Sequence, residues 1–241
     1  MSPKRILAFS SSRVGASGYL KIAVPVIESY LGKEPLNIAF IPFASVDENY
    51  EEYVSLVRKG LSGLKHTIKL VTPVQAISII ESSDVIMVGG GNTFKLLHDL
   101  YSNRLLDCIR HKVSAGTPYI GWSAGSNIIG ATIKTTNDMP VIEPESFNAL
   151  GLFPFQINPH YYNVKIEGQN GETRDQRLNE FIIMNPHDAV VGLPEGTALR
   201  LEDGVLSLIG EVSGVLFVME DGVVVMKQIE AGVDISFLLH L

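Results

Sequence analysis

Ser123 stands in Gly121-Trp122-Ser123-Ala124-Gly125, directly after the apolar run Pro118–Trp122 and before Ser126-Asn127-Ile128-Ile129-Gly130. This G-x-S-x-G spacing suits a sharp strand-to-helix turn that presents a serine at the carboxyl end of a sheet. Flanking glycines let the backbone turn tightly without Cβ clashes. The N–H of Ala124 then faces the oxyanion that develops when a serine attacks an acyl carbon, and the helix N-terminus adds positive potential. The chemistry would be acyl transfer to Ser123 followed by hydrolysis. A bare match of this kind also fits a Gly/Ser turn that merely closes a strand. Its place between a buried strand and a helix favours the chemical reading.

A second group that serves such chemistry is Val88-Gly89-Gly90-Gly91-Asn92-Thr93. Three glycines leave N–H groups unshielded, so an anion can approach the backbone. Neither GxGxxG nor GxxxxGK[ST] is present, which argues against a nucleotide loop. Gly90 or Gly91 is therefore expected as a second oxyanion donor beside Ala124. A tight turn with Asn92 or Thr93 capping a helix is compatible with that role.

A serine hydroxyl needs a base to take its proton. His160 in Asn158-Pro159-His160 and His187 in Asn185-Pro186-His187 both lie in loops, and position alone favours His160 over His187. The other four histidines read as surface or packing residues. The base needs a carboxylate to fix its tautomer. Asp138 and Glu195, the latter in Leu193-Pro194-Glu195-Gly196, are both candidates, and residue-by-residue reading leaves the choice open.

These residues need a scaffold. Arg5–Ser10, Leu36–Pro42, His66–Val71, Asp84–Val88 and Pro118–Trp122 read as buried strands. Between them, Ser17–Leu31, Asp47–Leu61 (with Asp47 as N-cap), Pro73–Glu81, Thr93–Asp99 and Leu105–Ala115 read as helices. That alternation predicts a parallel sheet covered on both faces. Asn137–Pro159 reads as irregular and Arg174–Met184 as a helix. After Asp188, short Val/Leu/Gly runs with hairpin signals at Asp203-Gly204 and Asp221-Gly222 predict antiparallel strands that extend the same sheet. The fold class is thus α/β, with a mixed, mostly parallel sheet and helices on both faces, in a single domain over residues 1–241.

Composition supports a packed globular chain. Of 241 residues, 46% are hydrophobic and only 19% charged, enough for one sizeable core without long charged tails. The net charge of −7 disfavours nucleic acid, which requires a basic face. One cysteine, Cys108, rules out an internal disulfide and any CxxC zinc signature. No run reaches the roughly 18–20 apolar residues of a membrane span. A cytoplasmic chain with no membrane partner is expected. The lack of a long exposed apolar stripe suggests a monomer.

Together, GGGNTF (Gly89–Phe94), GWSAGSN (Gly121–Asn127), TTNDMP (Thr135–Pro140), NPHY (Asn158–Tyr161), GETRDQRLNEF (Gly171–Phe181) and GLPEGTALR (Gly192–Arg200) resemble peptidase E, the aspartyl dipeptidase family of serine peptidases (family S51). The resemblance spans nearly the whole chain, with the segments in the family's order. It implies a fold like that of class I glutamine amidotransferases, with a flavodoxin-like core. It also implies hydrolysis of dipeptides with an N-terminal aspartate, with no metal or organic cofactor. Cyanophycinase-like peptidases, which share the serine elbow, are the neighbouring alternative. Carried over, Ser123 matches the nucleophile and His160 the base. The third member has been assigned both to the residue matching Asp138 and to that matching Glu195. A substrate β-carboxylate would want the fixed N–H fork of an arginine. Arg174 and Arg177, three apart on a helix, are the candidates, with Arg174 favoured. Asn92 and Tyr161 are named as further substrate contacts.

Overall fold

The computed structural model of the chain describes residues 3–165, 168 and 170–241. Five short apolar segments form β1 (Ile6–Phe9), β2 (Asn37–Ile41), β3 (Thr67–Leu70), β4 (Val85–Val88) and β5 (Tyr119–Trp122). They pair in parallel in the order β3-β2-β4-β5-β1. Every residue of β1, β4 and β5 is buried, as expected for parallel strands covered on two sides. Side chains alternate across the sheet. Leu7, Phe9, Phe40, Met87 and Trp122 pack with α1 (Ala23–Leu31) and α2 (Tyr50–Gly60) on one face. Ile6, Ala8, Ile41, Ile86 and Val88 pack with α3 (Ala76–Ser82), α4 (Thr93–Ser102) and α5 (Leu106–Ser114) on the other.

Beyond β5 the chain makes one helical turn, α6 (Ala124–Asn127), and then a long connection to β6 (Gln156–Pro159). α7 (Arg174–Met184) follows, started by a capping box in which Thr173 and Gln176 satisfy each other's backbone N–H. β7 (Val190–Leu193), β8 (Ala198–Glu202), β9 (Val205–Ile209), β10 (Gly214–Glu220) and β11 (Val223–Ile229) follow, and a 3₁₀ turn at Ser236–His240 comes last.

The C-terminal strands divide in a way the sequence reading did not anticipate. β8 and β9 do extend the first sheet antiparallel, giving seven strands in the order β3-β2-β4-β5-β1-β8-β9. The others form a separate four-stranded sheet, β11-β10-β7-β6, in which β6 and β7 are parallel. α7 packs on this second sheet through Leu178 and Ile182 against Val190 and Phe217. The opposite faces of β6 and β7 contribute Ile157, Val191 and Leu193 to the same buried cluster as Ile6 and Ala8. Both hairpin signals hold. Asp203-Gly204 and Asp221-Gly222 join their strands with positive φ at both positions, the pattern of a type I′ turn.

Two helix starts differ from expectation. α1 begins at Ala23, not Ser17, because Gly15 and Leu20 take positive φ and the segment coils into turns first. α2 begins at Tyr50 with Asn49 in the cap position. Asp47 instead closes the preceding turn, accepting hydrogen bonds from Ser45 Oγ at 2.5 Å and Asn49 N at 3.3 Å. The segment expected to be irregular, Asn137–Pro159, ends in β6. Among the described residues, no helix is long and apolar enough to cross a membrane.

Candidate active site

The turn after β5 is held by the sheet beneath it. Ser123 N donates to Phe9 O at 3.2 Å, and Ser123 O accepts from Ser126 N and Asn127 N, both at 2.9 Å. The serine has φ 53° and ψ −115°, outside the ordinary basins for an L-residue. Its neighbours must be glycine because other backbone lies against them. A Cβ at Gly121 would stand 2.4 Å from Gly125 O, and one at Gly125 would stand 2.2 Å from Val88 O. The G-x-S-x-G spacing is thus a packing requirement of the turn between β5 and α6.

The glycine run after β4 passes alongside. A Cβ on Gly90 would lie 2.9 Å from Ser123 Cβ. The N–H groups of Gly90, Gly91 and Ala124 meet no protein acceptor among the described residues. Unpaired N–H groups beside a nucleophile suit an incoming oxyanion. Gly90 and Gly91 border a cleft of about 990 Å³ at the carboxyl ends of the parallel strands, which Ser123, His160, Trp122 and Tyr53 also line.

His160 comes from the second sheet, just past β6. Its Nε2 lies 3.0 Å from Ser123 Oγ, and its Nδ1 lies 2.8 Å from Glu195 Oε1. With Nδ1–H donated to Glu195, Nε2 is left to accept the serine hydroxyl. Glu195 sits in the tight turn between β7 and β8. Thr197 N and Oγ1 both bond Pro194 O, at 3.2 and 2.7 Å, and Gly196 takes φ 84°. The side chains of His160 and Glu195 are 42% and 48% exposed, so the carboxylate acts more by orienting the ring than by a strong buried charge.

A residue that the sequence reading passed over fixes the ring's backbone. Ser10, fully buried at the end of β1, accepts from His160 N at 2.9 Å and donates to Leu193 O at 2.7 Å. It ties the first sheet to β7 and to His160, which holds φ 52°. The signal was its place at the carboxyl end of a central strand, the edge of a parallel sheet where sites gather.

The other carboxylate candidate serves elsewhere. Asp138 Oδ2 accepts from Thr93 N at 2.7 Å, Thr93 Oγ1 at 2.6 Å and Thr136 Oγ1 at 3.2 Å, at the N-terminus of α4. Its neighbour Asn137 donates to Pro159 O at 2.7 Å, bracing the backbone just before His160. The structure therefore joins Glu195, and not Asp138, to His160. His187 is exposed in the turn after α7.

The expected substrate contacts are dispersed. Asn92 lines the cleft, but its side chain caps α4, accepting from Lys95 N at 3.0 Å, and donates to Met139 O at 2.8 Å. Tyr161, Arg174 and Arg177 do not line the cleft around Ser123. Tyr161 OH donates to Asp175 Oδ1 at 2.5 Å. Burial first, and then the neighbouring Asp175, push the Tyr161 hydroxyl above its ordinary range. Arg174, in the first turn of α7, forms no ion pair among the described residues. Burial first, and then repulsion from Arg177, lower its pKa.

Comparison with known proteins follows the same lines. The model of peptidase family S51 matches residues 6–209. A peptidase E of Nostoc sp. is 50% identical over 215 residues, covering 89% of each chain. One from Shewanella amazonensis is 48% identical over 239 residues, covering 98% of this chain and 99% of its own. One from Haemophilus influenzae is 48% identical over 212 residues, covering 87% and 97%. Among solved structures, a Listeria monocytogenes protein ascribed to peptidase E superposes with a TM-score of 0.67 at 23% identity, covering 87% of this chain and all of that one. A peptidase from an acI-B1 Actinobacterium superposes with a TM-score of 0.68 at 18% identity, covering 98% and 97%. These structural likenesses place the fold with that of peptidase E proteins, which is similar to class I glutamine amidotransferases.

Proposed function

The chain belongs to peptidase family S51, and from that premise we propose that it is a dipeptidase that cleaves after an N-terminal aspartate through an acyl-enzyme on Ser123. A serine-type peptidase activity follows from the family and the peptidase E relatives. The observation that carries the site assignment is the run Ser123 Oγ, His160 Nε2, His160 Nδ1, Glu195 Oε1, with gaps of 3.0 and 2.8 Å. In the proposed reaction His160 takes the hydroxyl proton as Ser123 attacks the scissile carbonyl. The tetrahedral oxyanion is received by the N–H groups of Ala124 and of Gly90 or Gly91. Collapse expels the leaving amine, which takes the proton from His160. Water, deprotonated by the same imidazole, then releases the aspartate. Glu195 holds the Nδ1–H throughout, so that Nε2 is the nitrogen that takes up and returns the proton.

Recognition of the substrate β-carboxylate is assigned to Arg174, which stands outside the cleft around Ser123 in this structure and would have to approach the bound substrate. Support comes from a half-buried guanidinium with no acidic partner among the described residues. Within this reading the 241 residues act as one domain, because both sheets feed one buried cluster. The enzyme needs no cofactor and works as a cytoplasmic monomer. A cyanophycinase-like specificity is not favoured by the peptidase E relatives.

The test is a panel of Asp-X, Glu-X, X-Asp and isoaspartyl dipeptides. Wild type should cleave Asp-X well above the rest. Arg174→Ala should lose that preference while Ser123 still reacts with a small fluorophosphonate. Ser123→Ala should fall below roughly 10⁻³ of wild type with its fold intact. Substantial turnover by Ser123→Ala would refute the nucleophile, and unchanged selectivity in Arg174→Ala would refute the specificity residue.

A further inference from the structure

The glycine loop beside Ser123 is held by a side chain from α2. Tyr53 OH donates to Gly90 O at 2.9 Å. Its ring meets Phe40 edge-on at 5.1 Å and Tyr19 at 6.5 Å, and Tyr19 OH donates to Tyr53 OH at 3.3 Å. The tyrosine fills the space that a side chain at position 89 would occupy, since a Cβ there would lie 2.4 Å from the Tyr53 hydroxyl. Burial raises the Tyr53 pKa, which keeps the hydroxyl protonated and a donor.

A peptide unit is planar and trans, so its N–H points away from its C=O. Fixing the Gly90 carbonyl therefore fixes the aim of the Gly91 N–H. That N–H has no protein acceptor among the described residues. Both residues flanking this peptide are glycines, because Gly90 lies against Ser123 and a Cβ on Gly91 would stand 2.3 Å from Ala44 O. Glycines reach either sign of φ easily, so on its own this peptide could rotate and present its carbonyl where the N–H is needed. We propose that Tyr53 is a positioning residue for the serine reaction: its hydroxyl pins the Gly90 carbonyl, so that the Gly91 N–H stays turned from α2 and free to meet the oxyanion. The proposal rests on the reading of Ser123 as nucleophile.

Tyr53→Phe keeps the ring and removes the donor. Since losing one oxyanion donor outright costs about 10²–10³ in rate, a donor left in place but loosely aimed should cost roughly 10-fold in kcat. KM for an Asp-X dipeptide should stay within about twofold, the mark of an interaction made only in the transition state. The rate of fluorophosphonate labelling at Ser123, which passes through a similar charged oxygen, should fall in parallel. A purely structural role would lower the thermal midpoint and leave kcat of the folded enzyme and the labelling rate unchanged. Gly89→Ala is the second variant, because its methyl would displace the hydroxyl without deleting it. The same kcat loss is expected. A folded Tyr53→Phe or Gly89→Ala enzyme with wild-type kcat and labelling rate overturns the proposal. If wild-type protein is not labelled at Ser123, the nucleophile reading fails and this inference falls with it.

Discussion

Ser123 and His160 both hold positive φ although neither is glycine. Such conformations cost of order 1–3 kcal/mol each and persist only where surrounding structure fixes them. For Ser123 that structure is the Phe9 carbonyl and the one-turn helix α6, and for His160 it is the Ser10 hydroxyl. Two carboxylates compete for the role beside the ring, and geometry separates them. Glu195→Gln keeps size but removes the acceptor charge, so kcat should drop by about 10² or more with little change in KM. Steady-state kinetics on an Asp-X dipeptide would check this, and an unimpaired Glu195→Gln would exclude Glu195 as the orienter. That choice was not legible in the sequence, because nothing local marks which carboxylate will face His160 and only the packing of β7 against β6 brings Glu195 to the imidazole. Ser10 and Tyr53 were equally hidden, one in a serine run and one on an ordinary amphipathic helix.

At the scale of elements, Asp138 belongs to the start of α4. It receives the Thr93 N–H, one of the donors that a helix leaves unpaired at its first turn. Asp138→Asn should cost about 1 kcal/mol through the weakened cap and lost charge. In a chain of this size that is a fall of roughly 2–4 °C in thermal midpoint. Activity near wild type in the folded variant is expected, and a loss as deep as that of Glu195→Gln would move Asp138 into the catalytic group. Elements with strong local signals were readable: the strands β1 to β5, the two Asp-Gly hairpins, and α7. Those that depend on distant partners were not. β6 is only four residues, Gln-Ile-Asn-Pro, with no alternation to mark it. The sequence pattern places the start of α1 six residues too early, because an apolar helical pattern continues through Tyr19 and Leu20 while the backbone there turns. The second sheet leaves no such mark, since nothing in a strand's own sequence says which sheet it will join.

Across the whole molecule, the ends of β1 and β8 are cross-linked by charge. Glu202 receives Arg5 Nη2 at 2.7 Å and Arg200 Nε at 3.0 Å. Burial alone would raise the Glu202 pKa, but the two guanidinium groups outweigh it and hold it below the ordinary glutamate value. A depressed folded-state pKa adds stability that is present above about pH 4.3 and is lost as the pH falls through the lower folded value. Glu202→Gln should therefore reduce stability at pH 7 by about 1 kcal/mol, given partial exposure of both partners, and by much less near pH 3. Urea unfolding at the two pH values would check it, and an equal loss at both would contradict the assignment. The two-sheet layout has a further consequence. Ser123 and the three candidate oxyanion donors ride on the seven-stranded sheet, while His160 follows a strand of the four-stranded one, with Ser10 as a hydrogen-bonded rivet between them. An offset of about 1 Å between reacting groups can cost a hundredfold in rate. Slippage along that join would silence the enzyme while each half kept its shape, so activity is expected to fall at a lower temperature than the unfolding transition when both are followed on heating.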